Sequence, residues 1–442
     1  MVDQGNTWVI PLGLGRVKFS FVFLSNTAQL DDSPVGATHT EAKGSNVYST
    51  RAHNPCRPAR GIMARAGRRT LMSTRRGFFA QMGAAAAVAH VLPEAAYAQR
   101  AAVKGAIAKD MVWLNANENP AGPPACSLDA MRAVLAASGR YHYNEFGEIY
   151  ATMAKSEGLA PEQIVAGSGS SEVLHTAVDL FTSATRPFIS VSPAYEGPRD
   201  VARNLGRPVI LTKLREDYTA DVRKMAEEAD KAHGGLIYLC NPNNPTSAVT
   251  NAQDVDWLVS HLPANTILLV DEAYLHFVER PDVKSALPYV MQGKNVIVVR
   301  TFSKIYGMAG LRVGFAAARP DLAEQLGRMA LNVISIVSAR AVVAALADRD
   351  NILRERKAAL VKTRRELTAW LHDRGVKFIE PNANFLMIDT GRSAREFITT
   401  MPTLGVAVGR PFPPLDNMLR VSIGTDADMV KFREVFWKVY KG

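Results

Sequence analysis

From about residue 160 the chain alternates short, β-branched apolar runs with helical stretches, and this alternation restricts the fold more than any other feature. The runs predict strands at Gln163–Ala166, Phe188–Val191, Pro208–Leu211, Leu236–Leu239, Thr266–Val270, Val296–Val299 and Val313–Ala316. A half-buried strand alternates apolar and polar residues. These runs do not, so both faces must be covered, as in a parallel sheet packed between helices. Ser171–Phe181 and Ala252–His261 read as two of those helices. From Asp321 to about Asp373 helical stretches dominate. A mixed tail follows, with strand-like Phe385–Ile388 and Leu419–Ile423 and a helix over Asp426–Tyr440. The pattern is α/β, with a large, mostly parallel sheet domain and a smaller α+β domain.

Composition agrees and excludes other classes. With 442 residues, 47% hydrophobic and 21% charged, the chain can bury a large core and is neither disordered nor collagen-like. No apolar run reaches the roughly 18 residues needed to span a bilayer. Three cysteines exclude a disulfide-dense scaffold, and no Cys/His spacing matches a zinc site. The net charge of +10 is concentrated at the start. Residues 1–98 hold 11 Lys/Arg against 5 Asp/Glu, while residues 99–442 hold 41 against 37. A nucleic-acid partner, which would call for a basic stripe on the folded part, is not expected.

The leader has its own signature. Ser73-Thr74-Arg75-Arg76-Gly77-Phe78-Phe79 is a twin-arginine pattern, a weakly apolar stretch runs to Leu92, and Ala96-Tyr97-Ala98 is a small-x-small cleavage site. These are the three parts of an export signal and point to the twin-arginine route, hence to the periplasm or exterior, against a cytoplasmic alternative. Residues 1–71 show no sustained period. Met72 or Met63 is expected as the true start.

Chemistry-bearing residues gather after the strands. Gly167-Ser168-Gly169-Ser170-Ser171-Glu172 opens a helix, which makes either an anion site or an ordinary N-cap turn. Asn241-Pro-Asn-Asn-Pro-Thr246, Asp271-Glu-Ala-Tyr274, Ser303-Lys304 and Arg312 follow in that order. Strand C-terminal ends are where open α/β sheets bind ligands. Turn, cap and surface readings exist for each piece, but they do not explain the set. Cys240, between a strand and the Asn-Pro turn, reads as a core thiol. Cys126 reads as inert, and Cys56 falls in the leader.

From about Trp113 to the C-terminus the chain resembles the fold-type I pyridoxal-phosphate aminotransferases, most closely the histidinol-phosphate aminotransferase branch. The likeness is carried by Leu114-Asn-Ala-Asn-Glu-Asn-Pro120, Arg140-Tyr141, Asn241–Thr246, Asp271–Tyr274, Ser303-Lys304 through Arg312, and Leu419–Thr425. It implies the aspartate aminotransferase-like fold and pyridoxal 5'-phosphate as cofactor. Residues 1–71 are expected to be disordered or a mis-assigned start, and 72–98 a twin-arginine signal peptide; the resemblance then implies an N-terminal segment at 99–139 joining the small domain, a large cofactor-binding domain at 140–340 and a small domain at 341–442.

By that resemblance Lys304 forms the Schiff base with the cofactor aldehyde and moves the substrate proton. Asp271 pairs with the ring nitrogen, Asn244 and Tyr274 bond the ring hydroxyl, and Tyr195 stacks on the ring. Ser170, Ser171, Ser303 and Arg312 hold the phosphate. Tyr141 reaches the phosphate in a neighbouring subunit, which implies a homodimer with shared sites. Arg420 clamps the substrate carboxylate with help from Asn384, and Arg410 stands where the family contacts a distal anion.

Two departures stand out. The tyrosine that usually precedes the Leu114–Pro120 motif has only Tyr97 as its counterpart, in the signal peptide, and Ser247 replaces a glycine. The first departure and the export signal together favour aromatic or other amino acids over histidinol phosphate, with a 2-oxo acid such as 2-oxoglutarate as acceptor. A decarboxylase of phosphorylated amino acids and a non-catalytic binding module are the alternatives.

Overall fold

The structure, a computed structural model, describes residues 110–330 and 333–442. The export signal, Tyr97, Cys56 and the expectations for residues 1–98 lie outside the described residues. A seven-stranded sheet dominates. Its strands are β2 (Ile164–Ser168), β3 (Phe188–Ser192), β4 (Val209–Lys213), β5 (Gly235–Cys240), β6 (Thr266–Asp271), β7 (Val296–Thr301) and β8 (Val313–Ala317), in the spatial order β2-β8-β7-β6-β5-β3-β4. Each overlaps an expected run, with no end shifted by more than two residues.

The pairs β3–β4, β3–β5, β5–β6 and β6–β7 are parallel. Strand β8 is the exception, antiparallel to both β2 and β7. Successive residues of the central strands enter different cores. Ile237, Leu239, Leu268 and Val270 pack in one cluster with Phe302 and Val342. Leu236, Tyr238, Ile267 and Leu269 pack in another with Val173 and Leu326. Both faces are therefore dry, which is why these runs show no alternation.

The expected helices are present as Ser170–Phe181 and Ala252–Ser260, and the helical stretch resolves into Pro320–Arg328, Ile336–Ala347 and Arg349–His372. The chain ends on helix Asp426–Lys441, started by a Thr425/Asp428 capping box. Strands β9 (Phe385–Asp389) and β11 (Met418–Ser422) form an antiparallel pair over a third core containing Leu367, Leu386, Val421, Phe432 and Phe436. Two strands went unexpected, β1 (Val112–Leu114) and β10 (Val406–Val408). They pair in parallel, and three residues are too few to show a period. Among the described residues no helix is long and apolar enough to cross a membrane, and no His/Cys/Asp/Glu group could hold a metal.

The ends of β6 and β7 are locked by buried charge. Arg300 on β7 donates from Nε to Glu272 Oε2 at 2.9 Å, from Nη2 to Ser285 Oγ at 3.0 Å, and lies 3.5 Å from Glu157 Oε2. Its Nη1 meets His276 Nε2 at 3.0 Å. Burial, then the Arg300 charge, hold that imidazole well below the usual histidine range, so it accepts as a neutral ring. Arg300→Met would leave the buried Glu272 without its cation and Glu157 with only Arg349, 3.7 Å away. We expect a loss of about 3–5 kcal/mol in unfolding free energy by denaturant titration. An unchanged midpoint would mean that the network holds nothing in place.

Candidate active site

One cavity of about 470 Å³ opens where the parallel strands end. Its lining includes Ser170, Ser171, Tyr195, Asn244, Asp271, Tyr274, Ser303, Lys304, Arg312 and Arg420. The structure thus brings together ten of the thirteen residues singled out from the sequence. Asp271 is the last residue of β6, and Lys304 follows β7 by three residues. Arg312 precedes β8, and because β8 runs backwards its start lies at the same edge as its neighbours' ends.

The phosphate end is built by close approach. Gly169 has φ +80, and a Cβ on it would stand 2.2 Å from Arg312 Nη2. A Cβ on Gly314 would stand 2.3 Å from the Ser170 amide nitrogen. Two glycines therefore let the Arg312 guanidinium and strand β8 press against the start of helix Ser170–Phe181, whose first amides and positive dipole end suit an anion. Arg312 itself takes a left-handed φ of 53 and donates to Ala309 O at 2.9 Å. This cradle fits a phosphate dianion better than the ordinary cap turn that the sequence left open, since no side chain caps the helix.

The opposite wall holds a buried carboxylate. Asp271 accepts from Tyr238 Oη at 2.9 Å and from the Ala273 amide at 3.1 Å. Burial pushes its carboxyl up to about 6, against the pull of these two hydrogen bonds. An anion kept in a dry pocket at this cost is suited to a cationic partner such as a protonated ring nitrogen. Cys240 is buried beside it, and burial raises the thiol well above the ordinary cysteine range, which agrees with a core role.

Segment 115–119 roofs the site, a part played by backbone carbonyls and one amide side chain. Asn115 O accepts from Arg420 Nη2 at 2.6 Å, Ala116 O from Lys304 Nζ at 3.3 Å, and Asn117 O from Asn384 Nδ2 at 3.0 Å. Asn117 Nδ2 donates to Tyr274 Oη at 3.2 Å. The sequence showed this motif but assigned it no role. Its contacts join residues more than 150 positions apart, so spacing could not reveal them. Arg420 also donates to Asn244 Oδ1 at 2.8 Å, linking the expected carboxylate clamp to the Asn-Pro turn.

Ser247, the departure from glycine, has φ 62 and is fully buried. Its hydroxyl accepts from the Asn382 and Ala383 amides, both at 2.8 Å, which offsets the left-handed strain and ties the turn to the approach to β9.

Three expected residues lie apart from this lining. Asn384 is buried behind the roof. Arg410 pairs with Glu196 at the rim. Tyr141 is 74% exposed, stacked on Tyr143 at 5.1 Å, and lines a separate surface groove of about 1210 Å³.

Comparison with known proteins decides the family. The profile described as "Aminotransferase class I and II" matches residues 109–436. The chain belongs to the class I and II aminotransferases. It is 34% identical to the histidinol-phosphate aminotransferase of Symbiobacterium thermophilum over 329 residues, 74% of this chain and 89% of the relative. It is 31% identical to the aromatic amino acid aminotransferase of Cutibacterium acnes, over 76% of this chain and 94% of that one. The crystal structure of histidinol-phosphate aminotransferase from Sinorhizobium meliloti in complex with pyridoxal-5'-phosphate superposes with a TM-score of 0.71 at 26% identity, covering 79% of this chain and 95% of that one.

The aminotransferase uses pyridoxal 5'-phosphate and exchanges an amino group between an amino acid and a 2-oxo acid. A decarboxylase is not favoured by these likenesses.

The cradle makes a direct prediction. Gly169→Ala should displace the Arg312 guanidinium and weaken cofactor binding by about 1.5–3 kcal/mol, the worth of a charge-assisted hydrogen bond. Titration of stripped protein with pyridoxal phosphate measures this. Gly139→Ala, where an added Cβ meets nothing within 4 Å, should leave binding unchanged.

Proposed function

We propose that this aminotransferase works as a homodimer on an aromatic or other amino acid, with a 2-oxo acid as acceptor, and that it is exported through the twin-arginine route. The reading is carried by the convergence of Lys304, Asp271, Arg312 and Arg420 on one cavity. Pyridoxal phosphate, when bound, supplies an aldehyde for the amino nitrogen and a ring that takes up electrons from a broken Cα–H bond.

The chain's residues would do the rest. Arg312, Ser170, Ser171 and Ser303 fix the phosphate, and the buried Asp271 carboxylate holds a proton on the ring nitrogen. Asn244 and Tyr274 bond the ring hydroxyl, and Tyr195 covers the ring. Arg420 takes the substrate carboxylate through two donors, which fixes Cα in reach of Lys304. Lys304 Nζ then carries the proton away from Cα and returns it on the other side of the exchange. Asn384 supports Arg420 through the roof segment, bonding the Asn117 carbonyl while Arg420 bonds that of Asn115.

The dimer reading rests on the exposed Tyr141–Tyr143 pair, with Leu135 and Val333 also exposed nearby in sequence or groove. A second subunit would cover this apolar surface and receive Tyr141 at its cofactor phosphate. Light scattering should give twice the chain mass. A monomer at working concentration would refute the shared site.

Lys304→Ala should keep the cofactor bound but lose turnover, and added amino acid should no longer shift the cofactor absorbance. Retained half-transamination in that variant would remove Lys304 from the chemistry. Export rests on Arg75-Arg76 and the weakly apolar stretch after it. Arg75→Lys with Arg76→Lys keeps the charge but loses the planar guanidinium fork. Cell fractionation should find wild type exported and the variant retained. Wild type found only with cytosolic markers would end this reading and restore histidinol phosphate as the leading donor.

A further inference from the structure

At the rim of the cavity Arg410 Nη2 is ion-paired with Glu196 Oε1, across 214 positions of sequence. Glu196 stands between Tyr195 and Gly197, both of which line the cavity. Arg410 follows Gly409, whose amide donates to Arg420 O at 2.9 Å. A Cβ on Gly409 would meet that carbonyl at 2.7 Å, so the two segments are pressed together. The guanidinium carbons of Arg410 and Arg420 lie 4.3 and 4.7 Å from the centre of one ring, Phe412. The sum of those two distances caps their separation at about 9 Å. An amino acid whose carboxylate sits on Arg420 can therefore extend its side chain to the Glu196–Arg410 pair.

We propose that Glu196 is a specificity-determining residue. By holding Arg410 in an internal ion pair, it makes the enzyme prefer amino donors with uncharged side chains over donors that carry a second anion. This deepens the transaminase reading above and rests on it.

The charge inventory at the cavity supports the assignment. Lys304, Arg312 and Arg420 each have a task with cofactor or substrate carboxylate. Arg410, stacked on the same ring as Arg420, is committed to a carboxylate that belongs to the chain. A substrate with a second anion would have to part this pair. The Glu196 side chain, only 18% exposed, would then face the incoming anion with its partner shared or lost. Separating a partly buried pair and juxtaposing like charges both oppose binding. Glu118, which does line the cavity, adds to the same field. A neutral side chain meets none of these costs.

The test is the amino-donor half-reaction of the holoenzyme, followed by cofactor absorbance, with phenylalanine and glutamate as donors. Wild type should favour phenylalanine. Glu196→Gln should raise the glutamate-to-phenylalanine ratio of second-order rate constants about tenfold, with phenylalanine itself changed less than about twofold. In an Arg410→Gln background the same Glu196→Gln change should no longer raise the ratio. A general loss of structure would lower both donors and would not depend on Arg410. Succinate, which has no amino group to transfer, gives a second readout and should inhibit Glu196→Gln more tightly than wild type. An unchanged ratio together with unchanged succinate inhibition overturns the role of Glu196. If wild type converts neither donor, the aromatic-donor reading above fails, and tighter succinate binding by Glu196→Gln, seen in the cofactor absorbance, alone decides the role of Glu196.

Discussion

Strand β8 runs against β2 and β7, and the geometry of the site depends on that reversal. With β8 inserted between strands that run the other way, the residue at its start arrives at the edge where theirs end. Arg312 therefore reaches the cavity from one side while Asp271 and Lys304 reach it from β6 and β7. The approach is possible only because Gly169 and Gly314 lack side chains at the two contacts where a Cβ would collide with Arg312 and with the Ser170 backbone. A cation, a helix start and a strand end are thereby packed into one anion cradle.

A second layer of constraint comes from the roof. Segment 115–119 leaves β1, which pairs with β10, and hands its carbonyls to Arg420, Lys304 and Asn384. The residues meant for the cofactor and those meant for the substrate thus share one strip of backbone. Ser247 fastens the Asn-Pro turn to the approach to β9 from the other side. These links explain how Arg420, borne on β11, keeps a fixed position relative to Lys304, borne on the large sheet.

Much of this was legible in the sequence because it is local. The central strands announce themselves as unbroken apolar runs, since Leu236 and Ile237, or Ile267 and Leu268, enter opposite cores. Asp271 and Lys304 could be placed at one sheet edge because each adjoins the C-terminal end of a strand, and Arg312 joined them through the family resemblance. The reversal of β8 was not legible, because periodicity carries no direction. The roof, the Glu196–Arg410 pair and the rescue of Ser247 were hidden for a different reason: each joins residues more than 100 positions apart. The three-residue strands β1 and β10 have too little length to signal themselves, and they are defined by each other.

If the cofactor reacts in the strand-end cavity, it must be carried by Lys304. Reduction of the holoenzyme with borohydride, followed by peptide mapping, decides this. The reduced cofactor should be found on the peptide containing Ser303-Lys304 and nowhere else. Attachment at any other lysine would place the chemistry elsewhere.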